Sequence, residues 1–254
     1  MSGKQERERR RQERIRAQAQ AKEDERRRRR IQLLSAAAFV GIVVVVIFVV
    51  AVSQGGSGSG GDTNLEDVGL VEEQLAGIPQ HGTVLGDPSA KVRLIEFGDL
   101  QCPICKAFSE EVLPSVIAGS VSRGEAKIDF RNFTIISEQS IPAGAAALAA
   151  GEQGRGWNFI DIFYRNQGEE RSGYVTDSFL TSIAKGAKVP DLKRWNRERK
   201  SQRLLGEVER TTHEAEAHGF EGTPSFFVEG PGGSESLGTP ESAEELEVAI
   251  QEAE

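Results

Sequence analysis

Cysteine is almost absent from this chain: 254 residues contain two, Cys102 and Cys105. That scarcity excludes a fold stapled by many disulfides, the usual resort of small exported domains with thin cores. Histidine is scarce as well, with only His81, His213 and His218. A structural zinc site needs four ligands, commonly two C-x-x-C pairs or one pair with two histidines at set spacing. The H-x4-H of His213 and His218 leaves a Cys2His2 site arithmetically open, but no further ligand pattern supports one. No P-loop is present and no G-x-G-x-x-G joins a strand to a helix, so the sequence offers no cofactor motif. Aromatics supply only 6% of residues, and no internal repeat is visible.

Charge is present but unevenly spread behind a formal net of -8. Residues 1–30 hold 13 of the 31 Lys+Arg and 6 of the 39 Asp+Glu, a balance of +7, which leaves -15 for the other 224 residues. Between the two regions, residues 31–52 (IQLLSAAAFVGIVVVVIFVVAV) run for 22 positions without a charge. As a helix rising about 1.5 Å per residue this run spans roughly 33 Å, enough for a bilayer core of about 30 Å. Arg26 to Arg30 abut its start, which predicts a cytoplasmic N-terminus and an extracytoplasmic remainder. A cleaved signal peptide has a shorter apolar core, about 7–15 residues; Ala51-Val52-Ser53 offers a cleavage site, but the full spanning length favours a retained anchor. The basic tail interleaves Glu and Gln with Arg and lacks aromatics. It reads as a topology signal and a contact for anionic lipid, not as a nucleic-acid arm. Residues 53–62 (SQGGSGSGGD) follow as a flexible linker with an end-to-end distance of roughly 17 Å.

Residues 63–254 carry the folded domain. TNLEDVGLVEEQLAGIP (63–79) places Leu65, Val68, Val71 and Leu75 at helical spacing before Pro79. Thr83 to Leu85 reads as a short strand, and Val92 to Phe97 (VRLIEF) as an alternating, β-branched one. A helix starts at Pro103 and is interrupted near Pro114. KIDFRNFTI (127–135) gives the next strand, completing a βαβ pattern with the cysteines at the strand-to-helix junction. Helical patterns then occupy 143–153, 157–167 and 177–187, followed by a charged helical stretch at about 190–218. The small-residue run AGAAALAAG reads as tight internal packing. Gly222-Thr223-Pro224 ends the helical region before the apolar strand Ser225 to Val228. Ser234 to Leu237 is its candidate hairpin partner across a Gly-rich turn, and Glu241 to Ala253 is a terminal amphipathic helix.

The C-x-x-C pair is a poor staple, because a bridge over two residues closes a loop too small to stabilise much. Redox exchange fits better. A thiolate at a helix N-terminus is favoured by the unpaired N–H groups and the helix dipole. Cys102 at that position should therefore ionise below the free thiol range and act as the nucleophile. Cys105, one turn further in, would resolve the mixed disulfide. Pro103 suits the first turn, having no N–H to leave unpaired.

Strand, C-P-x-C at a helix start, helical insertion and then G-T-P-S before an apolar strand resembles the DsbA-like branch of the thioredoxin superfamily, over roughly residues 80–252. The pattern E-F-x-D-x-x-C-P-x-C, here from Glu96 to Cys105, is similar to that of its membrane-anchored bacterial members. The resemblance implies an α/β thioredoxin-like fold with a helical insertion at about 138–220, preceded by a single transmembrane helix. It implies Cys102 as nucleophile, Cys105 as its partner and Pro224 as a cis-proline facing them. Thr223 would offer backbone groups to an extended substrate by strand addition. Pro103 and Ile104 would border that substrate. Glu96 matches a buried acid that moves protons to or from Cys105, while Asp99 fits the pattern and serves equally as a turn residue. One departure is the Pro-Ile pair between the cysteines. Isoleucine cannot stabilise a thiolate as a histidine there could, and a solvated Lys106 would compensate little.

The expected activity is thiol–disulfide exchange with protein substrates, in the direction of an oxidase because exported compartments are oxidising. A membrane redox partner, such as a quinone-linked enzyme, would reoxidise the pair. A reductase or isomerase, a dedicated electron donor to one membrane protein, and a peptide-binding or chaperone module are the alternatives.

Overall fold

The computed structural model describes residues 65–254. The basic tail, the apolar run 31–52 and the linker 53–62 lie outside the described residues. No helix among the described residues is long and apolar enough to cross a membrane.

The centre of the domain is strand β3 (Val92–Gly98), which pairs in parallel with β4 (Ala126–Asn132) and antiparallel with β5 (Ser225–Gly230). With β1 (Gln80–His81), β2 (Val84–Leu85) and β6 (Gly233–Gly238), the six-stranded sheet runs β1-β2-β4-β3-β5-β6. The alternation expected for a half-exposed strand is not what β3 shows. Apart from Arg93 it is buried throughout, because a central strand has cover on both faces. The two faces remain distinct. Leu94 points into the large core, whereas Ile95 and Phe97 join a smaller cluster with Phe133, Ala215 and Phe220. The two-residue period of a strand thus sends Glu96 toward the face of the large core. β4 is shorter than its sequence pattern: Phe133 to Ile135 leave the sheet, and the Phe133 N–H closes on the Gly98 carbonyl at 2.8 Å.

Helix α1 (Val68–Gln74) is the shorter form of the predicted N-terminal helix. Helix α2 (Pro103–Glu111) joins β3 to β4, as the βαβ pattern requires. Pro114 stands near the start of a separate turn, α3 (Leu113–Val116), which runs into a π-helical turn at Ile117–Val121. The helical insertion comprises α4 (Ser140–Gly151), α5 (Gly156–Arg165), α6 (Asp177–Gly186), α7 (Leu192–Glu198) and α8 (Gln202–Ala217). The charged stretch at 190–218 is two helices because Ser201 caps α8, its hydroxyl accepting from the Leu204 N–H. Helix α9 (Ala243–Ala253) closes the chain against β5 and α3.

The alanine- and glycine-rich α4 is buried on nearly every side, so its small residues serve internal packing. The indole of Trp195 donates to the Ala146 carbonyl at 2.9 Å, and that of Trp157 donates to the Thr83 carbonyl at 2.7 Å. These bonds tie the insertion to itself and to the sheet edge. Gly151 and Gly156 both closely face the Gly82 backbone; a Cβ on Gly156 would strike the Gly82 carbonyl oxygen. Gly156→Ala should therefore lower the unfolding free energy by about 1–3 kcal/mol, read by urea denaturation. Gly206→Ala, on an exposed helix position with open space around it, should not destabilise.

Candidate active site

The site forms where β3 ends and α2 begins. Cys102 is the N-cap of α2 in an extended conformation, and its sulfur accepts the Cys105 backbone N–H at 3.4 Å. Pro103 occupies the first turn, as its missing N–H predicts. Cys105, one turn in, is completely buried, while Cys102 keeps a 4% exposure. Both are free thiols. Ile104 is 59% exposed beside them, an apolar side chain at the rim of the nucleophile.

The G-T-P-S segment arrives from the far end of the insertion. The Thr223–Pro224 bond is cis. The Cys102 thiol donates to the Thr223 carbonyl at 3.4 Å, so this backbone group faces the nucleophile in the reduced protein. Two hydroxyls brace the segment: Thr239 donates to the Pro224 carbonyl at 2.6 Å and Ser225 to the Gly222 carbonyl at 2.7 Å.

Asp99 is a buried junction between two loops. One carboxylate oxygen accepts the Gln101 N–H, the other the N–H groups of Ile135 and Ile136, all at 2.9 Å. Its carbonyl takes the Cys102 N–H at 2.9 Å and the Tyr164 hydroxyl at 3.3 Å. The Gln167 amide donates to the carbonyls of Leu100 (2.8 Å) and Cys102 (3.1 Å). α5 and the residues just beyond it thus clamp the segment that presents the nucleophile.

The two thiols are displaced in opposite directions. Cys102 falls from 9.0 to about 6. The Cys105 thiol lowers it most; burial opposes, and the Thr223 side chain and the N–H groups of Cys105 and Ile104 assist. Cys105 is pushed well above the ordinary thiol range by burial, by its bond to Cys102 and by the charges of Cys102 and Glu96. Glu96 is 1% exposed and one of its oxygens has no hydrogen-bond partner. Burial, then the charges of Asp161 and Cys102, raise it to about 8, so it is protonated at neutral pH. Lys106 lies 3.9 Å from Glu110.

The structure thus brings Cys102, Cys105, Glu96, Asp99, Pro103, Ile104, Thr223 and Pro224 together. The histidines are engaged elsewhere. His213 bonds Glu216 at 3.0 Å, and His218 packs on Phe97, Phe220 and Phe227. No group of three or more His, Cys, Asp or Glu able to hold a metal forms among the described residues. Sequence reasoning missed Gln167, Tyr164, Thr239, Ser109 and Asp161. Only Asp161 leaves a signal, as the lone acid within the apolar, aromatic run of α5.

A family model described as thioredoxin matches residues 80–252. A probable disulfide bond formation protein D of Bacillus cereus is 31% identical over 150 residues, covering 58% of this chain and 69% of that protein. The crystal structure of oxidised BdbD from Bacillus subtilis matches with a TM-score of 0.61 at 20% identity, covering 69% of this chain and 97% of that one. That of alpha-DsbA1 from Wolbachia pipientis matches with a TM-score of 0.57 at 19% identity, covering 67% and 89%. At these identities the two structures bear on the fold alone.

Alkylation of the reduced protein should follow a single ionisation near pH 6, with Cys105 unmodified until the protein is unfolded. The same displacement sets a stability difference. The Cys102 value is lowered on folding, so its contribution is complete above about pH 9 and lost as pH falls through 6. The reduced protein should gain stability over its disulfide form as pH rises from about 6 to 9, measured as the difference between their urea midpoints. An alkylation midpoint above pH 8 would overturn both expectations.

Proposed function

The chain belongs to the thioredoxin family, as a thiol–disulfide oxidoreductase of its DsbA-like branch, and from that premise we propose that it is an oxidase that donates the Cys102–Cys105 disulfide to protein thiols outside the cytoplasm. The observation that carries this reading is the stabilised Cys102 thiolate, because a disulfide whose reduced form is stabilised is a strong oxidant.

A substrate thiolate attacks Cys102 Sγ and forms a mixed disulfide. The Cys102–Cys105 bond breaks, and Cys105 leaves with the electron pair. Its thiolate is buried and disfavoured, and it takes the proton held by Glu96. A second substrate thiolate then attacks the substrate sulfur of the mixed disulfide, and Cys102 departs as a thiolate. The substrate has lost two electrons and the cysteine pair has gained them. The segment at Thr223 and the exposed Ile104 border the path along which a substrate chain reaches Cys102. Both groups tolerate many sequences, which suits a donor with varied protein substrates.

The apolar run 31–52 and its flanking arginines support a membrane-tethered enzyme with its catalytic domain on the extracytoplasmic side. There a membrane redox partner would withdraw the two electrons and restore the disulfide.

Equilibrating the full chain in glutathione buffers should give a reduction potential nearer to about -120 mV than to about -270 mV. Cys105→Ser should accumulate mixed disulfides with exported proteins, and Cys102→Ser should not. A potential near about -270 mV would make the protein a reductase and end the oxidase reading. Release of the protein from membranes by a high-salt wash would end the anchored one.

A further inference from the structure

Asp161 is the one acid of α5, on a face it shares with Trp157, Asn158, Tyr164 and Arg165, and exchange at the two sulfurs alone gives it no role. It is 3% exposed. Its Oδ1 accepts the Ser109 hydroxyl at 3.2 Å and lies 3.3 Å from the Arg165 Nε, one turn along α5. Its Oδ2 has no hydrogen-bond partner. Ser109 stands one helical turn beyond Cys105 on α2, so this bond places Asp161 against the helix that carries both cysteines. Glu96 enters the same core from β3, in register with Phe130 and Phe226, which Tyr164 of α5 and Phe108 of α2 cover at ring distances of 6.5 and 4.8 Å, and it too has one carboxylate oxygen unpartnered.

Two buried carboxyl groups within range of one another do not both ionise readily, and the better-solvated one takes the charge. Here the difference is built in. Asp161 has the Ser109 hydroxyl and the Arg165 guanidinium to hold an anion, while the other charges near Glu96, those of Asp161 and Cys102, oppose one. The remaining charged groups around Asp161 are Glu110 on α2, which lies 3.9 Å from Lys106, and Asp67 ahead of α1, which shares Arg165 at 3.3 Å.

Resting on the reading of Glu96 as the proton donor to Cys105, we propose that Asp161 is a positioning residue of the exchange: its charge, held by Ser109 and Arg165, keeps the proton on Glu96 until Cys105 leaves the disulfide. The order of ionisation agrees. Burial raises Asp161 to about 6, with Arg165 and Ser109 opposing. Glu96 stays protonated to about 8, the Asp161 charge being its largest influence after burial. Asp161 ionises first, against a neutral Glu96, so their mutual repulsion falls on the second ionisation, that of Glu96.

The test measures single-turnover oxidation of a two-cysteine peptide by the full chain between about pH 5.5 and 8.5, with Asp161→Asn, Glu96→Gln and the double variant. Asparagine keeps an oxygen for Ser109 and removes the charge. The Asp161→Asn rate relative to wild type should be near one at pH 5.5 and fall about three- to tenfold by pH 8, as Glu96 loses its proton earlier. In the Glu96→Gln background the same substitution should add nothing. A relative rate equal at every pH would assign Asp161 to folding alone and overturn the proposal. A Glu96→Gln profile identical to wild type would instead overturn the role of Glu96 on which it rests. If Asp161→Asn does not fold, carboxyl-carbon NMR titration of the wild-type protein decides. Ionisation of Asp161 near pH 6 and of Glu96 near pH 8 supports the pair, and two ionisations in the ordinary carboxylate range overturn it.

Discussion

The Cys102 sulfur caps the helix that begins one residue after it, and the surrounding fold keeps that contact in place. A sulfur is a weak acceptor and a flexible N-cap would drift. Here the peptide on its N-terminal side is fixed by Asp99, whose carboxylate and carbonyl hold both the cysteine loop and the 135–136 loop. Gln167 holds the carbonyls of Leu100 and Cys102, and Tyr164 reaches Asp99 from the same side. The helical insertion is therefore more than a cover for the sheet. It supplies part of the frame within which a thiolate forms at a fixed point.

The second constraint is the contrast in solvation between two sulfurs three residues apart. Helix geometry sends Cys102 to the first turn, where free N–H groups gather, and Cys105 into the core. A charge is welcome at one and expelled from the other. In the proposed oxidase this asymmetry gives the exchange its direction, because a mixed disulfide at Cys102 has a good leaving group on the enzyme side. A proton neutralises the expelled charge, since burial favours the protonated Cys105 thiol. Glu96 is suited to carry it because β3 is central: the same double cover that hides Leu94 and Phe97 deprives the carboxylate of water.

Much of this was legible in the chain because it is local. The position of Cys102 at a helix start follows from the strand pattern 92–97, the proline at 103 and the helix beyond. The βαβ unit, the interruption near Pro114, the hairpin at 225–238 and the G-T-P-S segment are likewise short-range patterns. The parts that were not legible depend on contacts across long sequence separations. Gln167 and Tyr164 meet the cysteine loop 65 to 67 residues away, and Thr239 meets Pro224 across a hairpin. A glutamine, a tyrosine and a threonine in such places carry no compositional mark. The end of β4 was misjudged for a related reason: KIDFRNFTI keeps strand character to Ile135, but Asp99 captures the N–H groups of Ile135 and Ile136, and the chain turns away.

The Pro-Ile pair between the cysteines looked in the sequence like a loss, since isoleucine cannot hydrogen-bond a thiolate. The structure shows where the stabilisation comes from instead. The Cys105 thiol and the N–H groups of Cys105 and Ile104 are fixed by the helix whatever side chain stands at 104, and the Thr223 side chain belongs to the opposing segment. Position 104 is thereby released from electrostatic duty. With 59% of its surface exposed, Ile104 presents apolar area beside the reactive sulfur. Burying such a side chain against an incoming chain is worth about 1.5–3 kcal/mol at most. An extended, unfolded substrate exposes apolar groups that a folded one conceals, so in the proposed donor this contact would favour chains that have not yet buried their own cysteines.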